Sequence, residues 1–461
     1  MNIKEIIYQK SPVCLQNLFC TMYGYIESKK RFNDQFRFFL SDLICKEWLG
    51  KNQIEYYKKQ KITNLIFWSV KTPFYSKFIT KDLSKIVTNP YDVLSEMPIL
   101  TKETVVNNYA SLHNKTTTQN YLIKTSGTTG KALRMIKTYN DTAMQWGVWF
   151  RHRHRFGVSY KDLSVNFTGK LVVPSKQVKP PFWRYNKAQN QYLINMQHIN
   201  GKNIGCIVEF LNTISPVFYS GYPSIISEVS RLANSFGLAL NESSKPRVIF
   251  CGAENTLDYQ KDEMSIFTGA IITDQYGLTE GNCNLSKCLH GYYHEDFEFC
   301  HVELIDEVTL PDGRKRGRLV GTGFYNEAFP LLRYDTGDIA IAMPDDFKCP
   351  CGRHSKVFHS IEGRVDDYVL TVDGRKVMRF DYLFKDTGDI EEAQVVQNEL
   401  KKIAIRIKLR SGENIGSLEK ILRQRVKDII CPQLLVDFYY VDQIEKSSTG
   451  KFKAVVNNIE H

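Results

Sequence analysis

The stretch Tyr121-Leu-Ile-Lys-Thr-Ser-Gly-Thr-Thr-Gly-Lys131 runs a short apolar lead into a loop of hydroxyls and glycines that ends on a lysine. Gly127 and Gly130 let the backbone turn its N–H groups toward an anion, while Thr125, Ser126, Thr128 and Thr129 add hydroxyl donors and Lys131 adds a charge. Such a loop suits a phosphate, although the same residues also describe an ordinary polar turn. It is not a Walker A loop: Thr125 stands where the first glycine is needed, and Ala132 follows the lysine in place of Ser or Thr.

Other residues could carry chemistry too. Cys349-x-Cys351 is too tight for an unstrained disulfide and suits a soft metal, with buried free thiols as the plainer reading. From Arg151 to Lys187 nine Lys or Arg stand against one acid, Asp162, interleaved with Phe156, Tyr160, Phe182, Trp183 and Tyr185. That run could meet nucleic acid. Without a nucleic-acid motif beside it, a solvated basic face or a rim that guides an anionic substrate is the stronger expectation.

The bulk of the chain bounds these readings. Its 461 residues exceed one core, and 43% hydrophobic with 24% charged residues is a globular composition. Eleven cysteines, an odd number, argue against a secreted disulfide framework. No run of apolar residues is long enough for a membrane span, and Met1 to Lys10 lacks the apolar core of a signal peptide, so a cytoplasmic location is expected. The net charge is +11.

The elements that must position these residues follow from periodicity. The first hundred or so residues read as helices, with Leu40, Leu43, Ile44 and Trp48 along one face, and Thr101 is a helix N-cap in the lead Met97-Pro-Ile-Leu-Thr-Lys102. Val217-Phe-Tyr219, Arg247-Val-Ile-Phe-Cys251 and Ala270-Ile-Ile-Thr273 are strands without polar alternation, and Ser224 to Leu238 is helical in period. This predicts a parallel sheet covered on both faces, with ligands at the carboxyl ends of its strands. Three loops lie there: Gly221-Tyr-Pro-Ser224, Gly252-Ala-Glu254 and Tyr276-Gly-Leu-Thr-Glu280. Glu303 to Asp306 and Gly317 to Thr322 read as further β-structure. In the C-terminal part, Val369 to Val377 reads as a hairpin turning at Asp373-Gly374, and Ile403, Ile405, Ile407 and Leu409 form one face of a half-buried strand. Leu418, Ile421, Leu422, Val426 and Ile429 share a helix face, and Leu434 to Val441 is a last strand. The expected class is α/β: a large multi-layer N-terminal domain with a parallel sheet, residues 1–363, and a small mobile C-terminal α+β domain, residues 364–461.

In order along the chain, Thr125-Ser-Gly-Thr-Thr-Gly-Lys131, Tyr276-Gly-Leu-Thr-Glu280, Tyr334-Asp-Thr-Gly-Asp338, Gly363-Arg-Val-Asp-Asp367 and Ser448-Thr-Gly-Lys451 resemble the signature series of the adenylate-forming superfamily of acyl-CoA synthetases, adenylation domains and luciferases. The chain looks most like its phenylacetate-CoA ligase branch, capsule-biosynthesis relatives included. The short length, the Met97 to Lys102 lead, the Gly221 and Gly252 loops and Cys349-Pro-Cys-Gly-Arg353 support that placement.

The resemblance implies an ATP-dependent, AMP-forming ligase. A carboxylate is a poor electrophile, and such enzymes turn it into an acyl-adenylate with release of pyrophosphate before a thiol or amine displaces AMP. By the match, Ser126, Gly127, Thr128, Thr129, Gly130 and Lys131 would hold the outer phosphates, Thr279 would add a hydrogen bond, and Glu280 would hold Mg²⁺. Tyr276 would stack on adenine beside Gly252, Ala253 and Glu254; Asp338 would accept both ribose hydroxyls, and Arg364 would reach the ribose. Lys451 would be the catalytic lysine, although Glu445-Lys446 departs from the pattern and Lys453 is a second donor; Asp366 would be the hinge. Taken singly, these are a core tyrosine, a turn acid, a helix-start carboxylate and a surface lysine.

The resemblance also implies a Cys and a His after the Tyr276 to Glu280 segment, which here are Cys288 and His294, with Cys283 and His290 as competitors. Together with Cys349 and Cys351 they would close a structural zinc site. Coenzyme A is the first acceptor expected; an amine or sugar, as in capsule-type relatives, is the alternative. A protein that binds nucleotide or nucleic acid without turnover is the remaining rival.

Overall fold

The computed structural model describes residues 3–79, 83–124, 133–253, 256, 258–362, 369–372, 376–377, 383–384, 387, 390–409, 415–444 and 455–459. Two compact units divide the chain, one drawn from within 1–123 and 134–363 and the other from within 124–133 and 364–461.

The first unit opens on helices α1 (Ile3–Lys10), α2 (Val13–Arg31), α3 (Asp34–Lys46) and α4 (Lys51–Ser69). In α3 the buried set is Phe36, Phe39 and Leu43, a spacing that faces one side of a helix. Trp48 does not share that face: the helix ends at Lys46 and the indole is 60% exposed. Thr101 caps its helix, its Oγ1 accepting from Thr104 N at 3.1 Å.

Strands β1 (Asn120–Lys124) and β2 (Arg134–Thr138) form a small sheet, and α5 (Tyr139–His154) follows. Among the described residues the main sheet has twelve strands. In chain order they are β3 (Ser164–Thr168), β4 (Trp183–Asn186), β5 (Gln191–Asn195), β6 (Phe218–Gly221), β7 (Val248–Gly252), β8 (Ile271–Gly277), β9 (Asn284–Lys287), β10 (Tyr293–Glu295), β11 (Cys300–Thr309), β12 (Lys315–Gly323), β13 (Tyr334–Ala342) and β14 (Val357–Glu362). Their spatial order is β11-β12-β13-β14-β10-β9-β8-β7-β6-β3-β5-β4. The run β5-β3-β6-β7-β8 is parallel, as the unbroken apolar strands predict. Helices α6 (Ile204–Leu211), α7 (Pro223–Ser235) and α8 (Asp258–Thr268) accompany it, and Ile226, Val229, Ile249 and Met264 belong to one buried cluster.

The basic run from Arg151 to Lys187 is not a uniform solvated face. Its arginines turn inward and its lysines outward. Arg151 is buried and forked between Asp296 Oδ1 and Glu298 Oε1, both at 2.5 Å. Arg155 pairs with Glu47, and Arg184, fully buried, donates to Gln16 Oε1 at 2.6 Å. Phe156 and Phe182 are core residues and Trp183 stacks on Phe210, so these three aromatics are committed to the interior packing. Lys161, Lys170, Lys176, Lys179 and Lys187 are exposed.

The second unit contains β15 (Val369–Leu370) paired with β16 (Lys376–Val377), then β17 (Ile390–Glu399), β18 (Lys402–Leu409), α9 (Ile415–Arg425), β19 (Leu435–Tyr440) and β20 (Val455–Asn457). The sheet order is β19-β18-β17-β20, an α+β unit as expected. β18 buries Ile403, Ile405 and Ile407 in alternation. On α9 Leu418 and Leu422 are buried but Ile421 is 40% exposed, and Val426 begins a π turn that ends at Ile430. Ile421 therefore lies off the buried stripe. The hairpin turn at Asp373-Gly374 lies outside the described residues.

A buried charge pair that loses one partner leaves the other without compensation. Arg151→Met should therefore cost about 3–5 kcal/mol of folding stability, because Asp296 and Glu298 would remain buried without their cation. Urea denaturation of the variant beside the parent chain measures the loss, and an unchanged midpoint would contradict it.

Candidate active site

The three loops expected at strand ends do lie side by side. Gly221 of β6 stands opposite Cys251 of β7, and Gly252 stands opposite Gln275 of β8, so the carboxyl ends of three parallel strands are level. Gly221 has φ +148°, and a Cβ there would sit 2.2 Å from the Phe167 carbonyl oxygen, which restricts this close approach to glycine. Ala253 follows β7 with φ +66°, a left-handed turn that ends the strand abruptly. Glu254 lies outside the described residues, as do Ser126, Gly127, Thr128, Thr129, Gly130 and Lys131 between β1 and β2, and Arg364, Asp366 and Lys451.

Past Gly277 the chain makes the turn that carries Thr279 and Glu280, and three buried side chains hold it from beneath. Gln145 of α5 donates from Nε2 to the Leu278 carbonyl at 2.9 Å and accepts from Lys137 Nζ at 2.6 Å. Lys137 also pairs with Asp141 at 2.9 Å. Gly281, with φ +75°, passes so close that a Cβ would meet both Asp141 oxygens and Lys137 Nζ at 3.2–3.3 Å. Burial raises the Asp141 pKa, opposed by the adjacent lysine. Sequence reading missed this brace. One signal was available: Thr138-x-x-Asp141 is the pattern of a capped helix start, and Thr138 Oγ1 does accept from Asp141 N at 3.0 Å.

Asp338 reaches the same region from another strand. Between β12 and β13 the register slips, so that Thr336, Gly337 and Asp338 face Leu319 alone. Such a bulge re-aims side chains. Gly337 takes φ +78°, its N–H donates to Asp335 Oδ1 at 2.9 Å, and Asp338 N donates to Thr336 Oγ1 at 3.1 Å. Arg318 holds Asp335 at 2.7 Å. The lead segment adjoins this motif, with Leu100 bridged to Tyr334.

Tyr276 Oη donates to Asp338 Oδ2 at 2.6 Å. In the sheet order four steps separate β8 from β13, about 19 Å if the sheet were flat. A tyrosine cannot span that distance, so the sheet must curl to bring the two motifs together. Burial, and after it the Asp338 charge, holds the phenol well above its ordinary value and keeps it a donor. The hydroxyl's part in aiming the carboxylate was not legible in the sequence.

A second cluster lies at β9, β10 and the loop before β14. Ligand atoms of Cys288, His294, Cys349 and Cys351 all lie within 4.8 Å of one another. Cys288 Sγ is 3.8 Å from Cys349 Sγ, and Cys351 Sγ is 3.3 Å from His294 Nε2. Two thiolates on a tetrahedral zinc stand about 3.8 Å apart, so the donor set and its spacing fit that ion. Tight turns present the sulfurs: Gly291 N donates to the Cys288 carbonyl and Gly352 N to that of Cys349, each at 3.0 Å. The Cys351 thiol is drawn well below its ordinary value, first by the hydrogen bond from Cys288 and then, against burial, by His294. The two competitors fall away, since His290 is exposed and Cys283 lies buried beside Cys300.

Among the described residues no helix is long and apolar enough to cross a membrane.

Comparison with known proteins shows what the chain is similar to. Residues 369–458 match the family described as the CapK C-terminal domain. Over 466 aligned residues the chain is 26% identical to Protein CapK of Staphylococcus aureus, covering 98% of this chain and 99% of that one. It is 25% identical to the phenylacetate-coenzyme A ligase of Aromatoleum evansii over 279 residues, 56% of this chain and 60% of that protein. Among solved structures, 2-hydroxyisobutyryl-CoA ligase in the postadenylation state with 2-HIB-AMP superposes with a TM-score of 0.54 at 14% identity, covering 89% of this chain and 91% of that one. The chain is thus a homologue of Protein CapK and of the phenylacetate-coenzyme A ligases, and its fold is that of the adenylate-forming ligases.

Proposed function

We propose that the protein is an ATP-dependent, AMP-forming ligase that activates a carboxylic acid as its acyl-adenylate. The observation that carries this reading is the Tyr276–Asp338 contact, which sets an aromatic ring and a carboxylate from two separate motifs side by side at a strand-end site. In that pairing the ring would take the adenine and Asp338 the ribose hydroxyls, with Gly252, Ala253 and Glu254 lining the base and Arg364 reaching the sugar.

In the first half-reaction a carboxylate oxygen of the acid attacks the α-phosphorus of ATP, the bond to the bridging oxygen breaks, and pyrophosphate leaves. The Ser126 to Lys131 loop and Thr279 would hold the outer phosphates. Mg²⁺, when bound at Glu280, supplies the charge neutralisation that two anionic reactants need. Lys451 would stabilise the oxygens of the carboxylate and α-phosphate, and Asp366 would be the pivot between half-reactions.

In the second half-reaction a nucleophile attacks the acyl carbon and AMP leaves. A coenzyme A thiol is supported by the homologous phenylacetate-coenzyme A ligases, whose alignments cover just over half of this chain. An amine or sugar acceptor is the alternative implied by the sequence resemblance to capsule-biosynthesis relatives. The likeness that runs the whole length is to Protein CapK, and the C-terminal unit matches the CapK C-terminal domain.

Zinc would be held by Cys288, His294, Cys349 and Cys351 and would tie the β9–β10 turn to the loop before β14. Four protein ligands leave no open position, so the role is structural.

A screen of aryl, fatty and amino acids should find one that stimulates pyrophosphate release from ATP, with coenzyme A and amine acceptors then compared on that acid. Lys451→Ala should lower that release by about 10²–10³-fold; undiminished release would remove the lysine from the mechanism. Tyr276→Phe keeps the ring but loses a hydrogen bond to a charged group, worth about 1.5–3 kcal/mol, so the KM for ATP should rise roughly tenfold or more. An unchanged KM would show that the hydroxyl does not aim Asp338. Metal analysis of the purified protein should give one zinc per chain, lost in Cys349→Ser together with a lower Tm; a metal-free parent protein of unchanged Tm would refute the site.

A further inference from the structure

Helix α2 is fastened to the edge strand β4 by one face. Gln16 and Gly24 are buried, Gln16 receives Arg184, and Asn17 Oδ1 accepts from Tyr185 N at 3.0 Å. A Cβ on Gly24 would lie 2.1 Å from Asn186 Oδ1, so the helix backbone sits directly on the strand end. At 100° per residue, the opposite face carries Leu15, Leu18, Met22, Tyr25 and Ile26 within an arc of about 100°. These five side chains are 42 to 58% exposed. A helix already packed on its inner side has no internal use for an outer face this apolar.

Cations frame that face. Lys29 continues its line and sits 4.7 Å from the centre of the Tyr25 ring. Lys170 lies 5.8 Å from the Tyr23 ring on one flank, and on the other Lys187 N donates to Thr21 Oγ1. Past Lys29 the surface dips into a groove of about 530 Å³ that includes Arg37, Lys161 and Lys187. The loop between β3 and β4 adds exposed Leu171 and Val178 with Lys176 and Lys179, and it is joined to α1 where Tyr8 Oη donates to the Val172 carbonyl at 2.6 Å. The nearby acids are occupied: Glu27 by Lys30 and Arg31, Asp162 by the Ser159 N–H, and Asp34 lies 3.5 Å from Arg37. The groove lies at the amino ends of β3 and β5, the end of the sheet opposite the candidate nucleotide loops.

We propose that this face docks the protein on a bilayer rich in anionic phospholipids, with α2 lying in the plane of the interface. The apolar arc enters the boundary between headgroups and acyl chains, and the lysines meet the headgroup phosphates. Charge selects this occupant over a second copy of the chain, which would bring the same lysines against their own equivalents.

Sedimentation of the full-length protein with vesicles tests this. The protein should pellet with vesicles containing phosphatidylglycerol and much less with phosphatidylcholine alone, and added salt should weaken the binding. The double variant Leu18→Glu/Met22→Glu should bind at least about tenfold more weakly, with its circular dichroism and Tm unchanged because both positions face solvent. Lys170→Glu/Lys187→Glu should lose the preference for the anionic lipid while keeping the fold. Failure to bind either vesicle, or binding that both variants leave intact, overturns the proposal. So does a dimer detected by light scattering that Leu18→Glu/Met22→Glu dissociates.

Discussion

The candidate site depends on a buried carboxylate, Asp296, that must be satisfied on every side. It receives Arg151 from α5, and both Asn284 Nδ2 and Ser286 Oγ from β9, the latter two at 2.5 and 2.7 Å. A charge in a low-dielectric interior is tolerated only when paired and hydrogen-bonded, so these partners cannot separate independently. The consequence is positional: α5 is locked to the strand that pairs directly with β8. From the first turns of α5, Asp141 and Gln145, with Lys137 before them, then support the turn bearing Thr279 and Glu280. The network does no chemistry itself. It fixes the frame on which the chemistry would stand, which is what preorganised electrostatic catalysis requires.

The basic run shows how far residue type decides location. Arginine offers a planar fork of donors and is more weakly hydrated than an ammonium, so it can be buried against two carboxylates as Arg151 is, or among carbonyl and amide oxygens as Arg184 is. Lysine keeps a strongly hydrated point charge, and all five lysines of the run remain at the surface. A single stretch of sequence therefore serves two purposes, interior bracing and exterior charge. Net charge alone merges them.

Legibility followed locality. The parallel strands, the Thr101 cap and the alternating β18 could be read because each depends on neighbours a few residues away. Trp48 was misplaced because helix α3 stops early, which a 3.6-residue repeat does not announce, and Ile421 because the buried stripe of α9 is narrow, taking Leu418 and Leu422 and leaving Ile421 at its edge. The Cys349-x-Cys351 pair stood out by spacing, whereas Cys288 and His294 came from resemblance and were gathered by the β9–β10 hairpin. Least legible was the contact between Tyr276 and Asp338. It needs both the curl of a twelve-stranded sheet and a bulge opposite Leu319, neither of which leaves a local mark. The motifs named the parts, and only the fold could show which of them meet.

Exchange of labelled pyrophosphate into ATP reads formation of the acyl-adenylate without requiring the acceptor. With a cognate carboxylic acid present, label should enter ATP at a rate that falls to background when the acid is withheld or when Asp338→Ala replaces the parent chain. Exchange that is absent with every acid tested, or that proceeds equally without acid, would show that the protein does not form an acyl-adenylate.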